Sequence, residues 1–311
     1  MNIFKKGNNL TLWWVRFRRL TDNWLLYKKH KIKESTYLNY NYIINTYLNK
    51  KFAKKRLSYF FDYDMNEFID SLEKNLSNKT VRDIVLVLKS ILKFAERKYN
   101  TNFKLDLITM PSSEKTELQV FNEKEIKKLE KICIKSEDIR DIGILTAIYT
   151  GMRIGEICAL KWEHIDLNKK LINVKQTLQR VYVEKKKTKV IITPPKTKTS
   201  ERKIPIPQIL YDELKRQSVN YSKQAYVTTG LEDKYIEPRS FQYVYKKALE
   251  TCEVKYRNFH CLRHTFATRC IRVGMDIKSL SEVLGHADVN ITLNRYIHSS
   301  YDSKKKFMKK L

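Results

Sequence analysis

The sequence predicts a mainly α-helical protein with a small antiparallel β-sheet, made of an N-terminal helical bundle and a C-terminal mixed α/β domain. Through most of the chain, apolar residues recur at the three-to-four-residue spacing of helices. Only the stretch from Leu171 to Pro207 has the short β-branched runs and turn residues of strands. The chain has 311 residues, 42% of them hydrophobic, and this length favours about two domains with separate cores.

Residues 1–105 are predicted to form the helical bundle. Apolar and aromatic side chains fall on one side of each helix if helices span Thr21 to Lys29, Ser35 to Leu48, Met65 to Leu72 and Asn78 to Tyr99. The last of these segments has the longest apolar stripe. The four segments together predict a compact bundle of about four helices.

Basic residues with interleaved tyrosines lie between the apolar stripes of this bundle. The chain has 62 Lys plus Arg against 34 Asp plus Glu, a net charge of +28, and such a surplus attracts nucleic acid. The candidate DNA-binding residues are Lys28, Lys29, Lys31, Lys33, Lys54, Lys55 and Arg56. Two alternatives stay open, a merely solvated surface and a coding bias toward lysine of the kind that AT-rich genomes produce.

A change of pattern at residues 106–120 predicts an interdomain linker, because Pro111 and the polar residues after it interrupt the helical spacing. Asn122 and Glu125 then have the spacing of a helix capping box, so the second domain spans residues 121–311. Its predicted helices span residues 123–134, 136–150, 153–160, 239–250, 265–273, 277–284 and 291–297. Its predicted strands span residues 171–174, 178–183, 189–193 and 204–207, with a lysine-rich hairpin before the last.

The five cysteines form an odd set without a C-x-x-C pair. This pattern predicts reduced, buried thiols and neither a disulfide framework nor a zinc site. The N-terminal apolar run is too short for a cleavable signal, and no apolar stretch approaches about 20 residues. We expect a cytoplasmic protein that does not contact a membrane.

Two arginines have the context of an anion site. Arg153 follows a Thr-Gly-Met turn that opens a helix, where backbone N–H groups favour an anion. Glu156 lies three residues later and can hold its guanidinium. His260 and Arg263 are also three apart, so one helical turn projects both toward one anion. An ordinary surface ion pair is the alternative for Arg153.

A histidine and a tyrosine follow these arginines. His286 comes directly after a glycine that ends a helix, and Tyr296 lies ten residues further on. Cleaving a phosphodiester by a protein nucleophile requires an attacking oxygen, positive charge for the phosphate, a proton donor and a base. The set supplies each of these, although a lone tyrosine among the chain's 19 is usually a core residue, and His264 has the position of a satisfied core histidine.

The ordered series TGMRIGE, a hairpin lysine, HCLRH and LGHADVNITLNRYIH resembles the tyrosine recombinase (phage integrase) family. The resemblance spans the whole second domain, and the first domain is similar to that family's core-binding domain. The spacing from His286 to Tyr296 and the polar hairpin are most similar to integrases of conjugative transposons and related mobile elements.

This resemblance implies a site-specific recombinase that cleaves and rejoins DNA through a 3′-phosphotyrosine intermediate. Tyr296 corresponds to the nucleophile, and Arg153 and Arg263 to the arginines that bind the scissile phosphate. His260 corresponds to the proton-transfer histidine and His286 to a hydrogen-bond donor to the phosphate.

The hairpin lysine of the family donates a proton to the departing 5′-oxygen. Lys198 corresponds to it because Arg202 follows at the family's usual offset, with Lys196 as a rival. Glu156 corresponds to a supporting carboxylate. Exchanging a phosphodiester for a phosphotyrosine conserves bond energy, so the resemblance implies no ATP, no metal and no other cofactor. The chain has no G-x-x-x-x-G-K-[ST] motif.

The implied partners are double-stranded DNA core sites and further copies of the chain, assembled as a tetramer on DNA. Few residues precede the first helix, so binding to additional arm-type DNA sites is not expected, and the layout is closer to chromosome-dimer resolvases. The target sequence, the direction of recombination, a directionality or DNA-bending factor, and exchange of the C-terminal tail between protomers stay open. A noncatalytic DNA-binding protein and a type IB topoisomerase are the alternative functions.

Overall fold

The computed structural model describes residues 14–112, 118–184, 187–194 and 201–296. The fold class predicted from the sequence is confirmed, since helices predominate and the strands form small antiparallel sheets. The chain divides into two compact units. Unit 1 contains Met1–Thr116 and the hairpin segment Val181–Lys189, and unit 2 contains Glu117–Arg180 and Val190–Leu311.

The helices of unit 1 surround one aromatic core. They are α1 (Phe17–Lys29), α2 (Glu34–Ile43), α3 (Asn49–Phe52), α4 (Tyr59–Asp62), α5 (Met65–Glu73) and α6 (Asn78–Tyr99). A π-helical turn, Ile44–Leu48, joins α2 to α3. Trp24 of α1 is fully buried, and Phe52 makes edge-to-face contacts with its neighbouring rings. Helix α6, which spans the predicted residues, begins after Ser77, which caps it, and is followed by Asn100 in a left-handed conformation.

Along the sequence after unit 1, helices come before and after a region of strands. The helices are α7 (Glu123–Lys135), α8 (Asp141–Thr150), α9 (Ile154–Cys158), α10 (Gln208–Ser218), α11 (Pro238–Thr251), α12 (His260–Arg272), α13 (Ile277–Leu284) and α14 (Val289–Tyr296). The strands are β1 (Ile165–Asp166), β2 (Leu171–Val174), β3 (Thr177–Glu184), β4 (Lys187–Thr193) and β5 (Arg202–Pro205). The predicted capping box of Asn122 and Glu125 is present at the start of α7.

The strands form two sheets, where the sequence predicts one. Strands β1, β2 and β5 form an antiparallel sheet in which Val174 pairs with Arg202, and β3 and β4 form a separate two-stranded hairpin. Alternation of apolar residues identifies a strand but not its partner. Each predicted strand exists and the pairing is antiparallel as predicted, but the strands divide between a three-stranded sheet and the hairpin.

Two helices differ from the sequence prediction: one begins earlier than predicted, and the other was not predicted. The helix predicted from Thr265 begins at His260, because Cys261 and Leu262 are buried in the core and continue the helical face. The HCLRH segment therefore forms the first turn of α12. Helix α10 is absent from the sequence prediction, and it packs Leu210 and Leu214 into the core of unit 2.

Candidate active site

Arg153 and Glu156 form a contact at the start of α9. Gly151 ends α8 with φ +63°, and this turn leads into Arg153 in an extended conformation. The Glu156 carboxylate accepts hydrogen bonds from the Arg153 backbone N–H at 2.9 Å and from its guanidinium at 2.8 Å. The side chain of Glu156 is only 3% exposed, while that of Arg153 is 36% exposed. The carboxylate thus orients a guanidinium that solvent and ligands can reach.

Arg202 of β5 holds the other side of Glu156, and sequence reasoning did not include it among the site residues. It donates to both carboxylate oxygens, at 3.1 and 2.9 Å, and to the carbonyl of Val283 at 2.6 Å. The alternation of β5 contained the signal, because Arg202 lies on the same inward side as Ile204. An arginine at such a position needs a buried acceptor.

The electrostatics of Glu156 follow from this arrangement. Burial alone would raise the pKa of its carboxyl. The hydrogen bonds and charge of Arg202, together with the charge of Arg153, outweigh burial and lower the pKa to about 2. Glu156 is therefore ionised at neutral pH and acts as a fixed negative charge between two guanidinium groups.

Arg263 lies in the first turn of α12 and is 2% exposed. It donates to the carbonyl of Gly151 at 2.9 Å and to that of Leu284 at 2.6 Å. Burial and the positive charge of Arg153 lower the pKa of Arg263 to about 9, and Glu156 opposes this effect. Arg263 is still a cation at neutral pH. Three guanidinium groups thus interact with one carboxylate, which leaves a positive surplus suited to a phosphate.

Two glycines allow these arginines to approach the backbone. Both Gly151 and Gly285 have positive φ, at +63° and +65°. A Cβ at Gly151 would lie 2.5 Å from the ring of Phe266, and a Cβ at Gly285 would lie 3.0 Å from Arg202. The carbonyl of Gly285 also accepts a hydrogen bond from Arg153 at 3.2 Å. The two turns thus present backbone carbonyls to Arg263 and Arg153, and the turn at Gly285 also leaves room for Arg202.

Tyr296, at the end of α14, lies against α12. Its hydroxyl is 2.7 Å from Nδ1 of His264, and its ring packs against a small cluster that includes Ala267 and Leu284. Tyr296 also interacts electrostatically with Arg263. The sequence favours His264 as a core histidine. It is buried as expected, but the structure places it on the tyrosine hydroxyl.

The other two predicted histidines lie on different elements. His260 is exposed at the start of α12, and its ring meets that of His264 edge to face at 4.6 Å. His286 follows Gly285, and its Nδ1 is 2.7 Å from the hydroxyl of the buried Thr292 on α14. The predicted lysine Lys198 and its rival Lys196 lie outside the described residues.

The candidate DNA-binding residues form two groups at opposite ends of α1. Lys28 to Lys33 lie in its last turn and directly after it, whereas Lys54 to Arg56 lie at its amino end, where the Phe17 N–H donates to the Lys55 carbonyl. All of them are exposed except the half-buried Lys28. The helix between the groups is about 20 Å long. The predicted residues alone therefore do not form one continuous basic surface.

A groove between α1 and α6 adds cations that sequence reasoning missed. It has a volume of about 520 Å³, and its walls include Lys28 together with Lys93, Arg97 and Lys98 of α6. Its aromatic side is formed by Trp24, Tyr27 and Phe94. The signal in the sequence was the recurrence of basic residues on the polar face of α6.

Other expectations concern thiols, metals and membranes. All five cysteines are buried and free of disulfides. Among the described residues there is no group of three or more His, Cys, Asp or Glu side chains placed to hold a metal ion. Within those same residues, no helix has both the length and the apolar character needed to cross a bilayer.

Comparison with known families gives two matches along the chain. The phage integrase family matches residues 119–303, and the N-terminal SAM-like domain of phage integrases matches residues 16–73. The first match covers more than half of the chain and contains the described arginines, histidines, Glu156 and Tyr296 of the site.

Individual relatives agree with these matches. The chain is 30% identical to a tyrosine recombinase XerC-like protein of Caldanaerobacter subterraneus subsp. tengcongensis, over 96% of this chain and 83% of that protein. It is 26% identical to the transposase from transposon Tn916 of Enterococcus faecalis, over 91% and 74%. Its fold is similar to that of the Tn1549 transposon integrase solved with transposon right end DNA, with a TM-score of 0.77 and 20% identity over 96% and 99% of the chains.

Proposed function

Because the chain belongs to the phage integrase family and is a tyrosine-type site-specific DNA recombinase, we propose that Tyr296 is its nucleophile and that Arg153 and Arg263 bind the scissile phosphate. One observation supports this assignment above all. The buried guanidinium of Arg263 interacts electrostatically with both Arg153 and Tyr296, although these residues come from three different helices or their ends. The phenolic oxygen and the phosphate-binding charge are therefore neighbours.

The arginines supply the charge for the reaction. As the tyrosine oxygen attacks phosphorus, negative charge grows on the nonbridging oxygens, and fixed guanidinium groups stabilise it without reorganising. Glu156 and Arg202 keep Arg153 in place through the hydrogen bonds described above. In this role they position a phosphate-binding group and do not touch the phosphate themselves.

The remaining roles follow the family resemblance. His260 transfers a proton, His286 donates a hydrogen bond to the phosphate, and Lys198 protonates the departing 5′-oxygen, with Lys196 as the alternative. Support for His286 comes from Thr292, which holds its Nδ1. In the tautomer in which the Thr292 hydroxyl donates to Nδ1, the Nε2 atom carries the ring proton and can donate it to the phosphate.

We further propose that residues 1–105 form a core-binding domain, 106–120 a linker and 121–311 the catalytic domain. The change of unit between Thr116 and Glu117 supports a boundary in the linker. The α1–α6 groove and the predicted basic residues contact the DNA backbone. The cations and aromatic walls of the groove suit a phosphate chain. Outside the groove, Lys31 and Lys55 lie over tyrosine rings that limit their freedom.

Assembly and context are also transferred from relatives. The functional form is a tetramer on two DNA core sites, in the cytoplasm, and it acts on a mobile element, as the transposon names of its relatives indicate. A directionality or DNA-bending factor completes the set of proposed partners.

Covalent capture on DNA tests the assignment of the nucleophile. The protein is incubated with nicked suicide duplexes that carry a randomised segment, and adducts that survive denaturation are isolated and sequenced. We expect an adduct on a selected sequence, with its DNA 3′ end blocked, and loss of this adduct in Tyr296→Phe. The control Tyr243→Phe changes an exposed tyrosine, 73% accessible on α11, and should leave the adduct intact.

Two further assays on the captured sequence separate the competing functions. A strand-exchange enzyme recombines two copies of the site, whereas a type IB topoisomerase relaxes plasmids without regard to sequence. Salt-sensitive binding with no adduct would instead favour a noncatalytic DNA-binding protein. An adduct that persists in Tyr296→Phe would show that another residue is the nucleophile.

A further inference from the structure

Helix α2, the π-helical turn and α3 follow one another without a break, and the middle of this helical run has no charged side chain. Residues 35–49 contain none, although 31% of the chain is charged. Asparagines and tyrosines take their place, and lysines come before and after them. A surface helix normally carries charged residues on its solvent side. The composition of this stretch therefore calls for an explanation other than solvation.

Three asparagines of the stretch form a hydrogen-bonded row, which we call the amide row. Asn41, Asn45 and Asn49 recur every four residues, a spacing that brings side chains together on one side of a helix. The Asn45 amide donates to Oδ1 of Asn41 at 3.0 Å, and the Asn49 amide donates to Oδ1 of Asn45 at 3.3 Å. The hydroxyl of the buried Thr21 on α1 lies 3.4 Å from Oδ1 of Asn49. Each amide is thereby held in one orientation.

The amide row does not serve the core of unit 1. The core side of the helical run is formed by Ile44, Leu48 and Phe52, which are fully buried, whereas Asn45 is exposed. Asparagine is also a poor residue inside a helix, because its amide competes with the backbone for hydrogen bonds. The π-helical turn Ile44–Leu48 is of a kind found frequently at functional sites. These features indicate a surface that binds a ligand.

We propose that the amide row reads the edges of adenine bases in the major groove of the DNA site. The proposal deepens the proposed function and rests on it, since it concerns how the recombinase selects its site. An asparagine amide combines a donor and an acceptor, and it pairs with the N6 amino group and N7 of adenine. An α-helix fits the major groove. The row is about 12 Å long, which corresponds to the rise of about three to four base pairs.

Hydrogen bonds within the amide row leave capacity for a base. A side-chain amide has two N–H donors and two lone pairs on its oxygen. Asn45 uses one donor and one lone pair within the row. Its second N–H and second lone pair can therefore bind a base edge. Because the amide is already oriented, little side-chain entropy is lost when the base binds.

Lysines at both ends of the helical run suit contacts with phosphates. Lys33 directly precedes α2, Lys50 and Lys51 belong to α3, and all three are exposed. Contacts with phosphates position a protein on DNA, whereas contacts with base edges select the sequence. Neutral amides are not attracted to every phosphate as cations are. The separation of lysines from amides along one helical run therefore favours base recognition over a purely electrostatic surface.

The hairpin segment of unit 1 contacts other side chains of α2. Tyr182 stacks on Tyr42 with ring centroids 4.6 Å apart, and Lys189 donates to Glu34 at 2.6 Å. Asn45 nevertheless stays exposed. These contacts hold α2 in place and leave the centre of the amide row accessible to DNA.

Selection of binding sites tests the role of the amide row. Duplexes with a randomised segment are selected by the full chain carrying Tyr296→Phe, so that binding is measured without cleavage. We expect adenines at defined positions. Asn41→Ala and Asn45→Ala should each lose the preference at one or two of these positions and bind the selected site about 10- to 100-fold more weakly. Their affinity for random duplexes should be unchanged. The matched control is Asn39→Ala, at an exposed asparagine of α2 outside the row.

A modified base identifies the contact itself. 7-Deazaadenine lacks the N7 acceptor but still pairs with thymine. At the position whose preference Asn45→Ala loses, this base should weaken binding by the protein with Asn45 about tenfold. It should not weaken binding by Asn45→Ala, which has no amide to lose the contact. Equal weakening in the two proteins, or no weakening of the protein with Asn45 at any selected adenine, overturns the proposal.

Further outcomes separate this proposal from the assignment of Tyr296. An unchanged selected sequence in both variants overturns base reading by the amide row, and so does an equal loss of affinity for selected and random duplexes. With Tyr296 present and protein at saturation, Asn45→Ala should form the adduct at the wild-type rate, and a lower rate would overturn a role in recognition alone. A protein that selects adenines through Asn45 but forms its adduct at another residue overturns the nucleophile alone. Thermal unfolding should show both alanine variants at least as stable as the wild type, because alanine favours helices.

Discussion

Arg202 binds both carboxylate oxygens of Glu156, at 3.1 and 2.9 Å, and thereby connects strand β5 to helix α9, which Arg153 precedes. The two side chains are 5% and 3% exposed. Arg153 shares the same carboxylate but is partly open to solvent. A buried ion pair thus supports the guanidinium that we assign to phosphate binding.

We expect Arg202→Met to destabilise the protein by about 3–5 kcal/mol, because it leaves the buried charge of Glu156 without its main partner. The rate of adduct formation should also fall, because a Glu156 carboxylate that has lost Arg202 is no longer fixed and cannot hold Arg153 in place. Arg202→Lys keeps the charge but cannot bind both oxygens at once, so its effect should be intermediate. Urea unfolding and the rate of adduct formation measure the two effects.

An exposed ion pair is the control for this change. Lys246 contacts Glu250 on α11, and their side chains are 54% and 64% exposed, so Lys246→Met should cost about 1 kcal/mol or less and leave cleavage unchanged. Equal losses of stability in Arg202→Met and Lys246→Met would contradict the supporting role of the buried pair.

The pKa of Glu156 predicts a loss of stability in acid. Its pKa is about 2 in the folded protein and about 4.3 in an unfolded chain. A carboxyl group whose pKa is lower in the folded protein stabilises that protein at pH values above the unfolded pKa. This stabilisation is lost as the pH falls toward the folded pKa. The contribution is about 3 kcal/mol and should disappear between about pH 5 and pH 2.

Urea unfolding at several pH values measures this contribution. Glu156→Gln cannot ionise, so the stability gap between it and the wild type should be largest at pH 7 and should close as the pH falls. A gap that is constant from pH 7 to pH 3 would contradict the lowered pKa.

Gly285→Ala should impair cleavage more than Gly274→Ala. Both glycines have positive φ, at +65° and +93°, so each substitution costs backbone energy of about 1–2 kcal/mol. Only at Gly285 does the new Cβ approach Arg202, at 3.0 Å, while at Gly274 none of the described atoms lies within 4 Å. Thermal unfolding and adduct rates measure the difference, and similar effects on cleavage would show that the approach to Arg202 is unimportant.

Replacing Lys93, Arg97 and Lys98 by alanine should weaken DNA binding without changing its sequence preference. The logarithm of the binding constant should depend less steeply on the logarithm of salt concentration, by about 0.9 for each phosphate that the variant no longer neutralises. Fluorescence anisotropy at several salt concentrations measures the slope. Lys74→Ala, an exposed lysine at the end of α5 outside the groove, is the control, and an unchanged slope in the triple variant would remove the groove from the DNA interface.

Much of the fold was accessible from local patterns. The limits of α6 and of α13 agree with the sequence prediction to the residue, because an N-cap, a periodic apolar face and a left-handed terminal residue all belong to the helix's own sequence. The start of α12 was missed, since the polar residues of HCLRH hid the buried Cys261 and Leu262 between them. Helix α10 was missed because it follows Pro207 directly and resembles a continuation of the strand region.

The sequence by itself determined the helical character of the protein, its charge, and the order of the arginines, histidines and tyrosine along the chain. These properties depend on composition and on spacing over a few residues. Only the tertiary structure decided that Arg202 holds Glu156 and that His264 meets the hydroxyl of Tyr296. These partners are 46 and 32 residues apart, and hydrogen bonds between distant segments exist only after packing has brought buried charges and hydroxyls to the acceptors that they require.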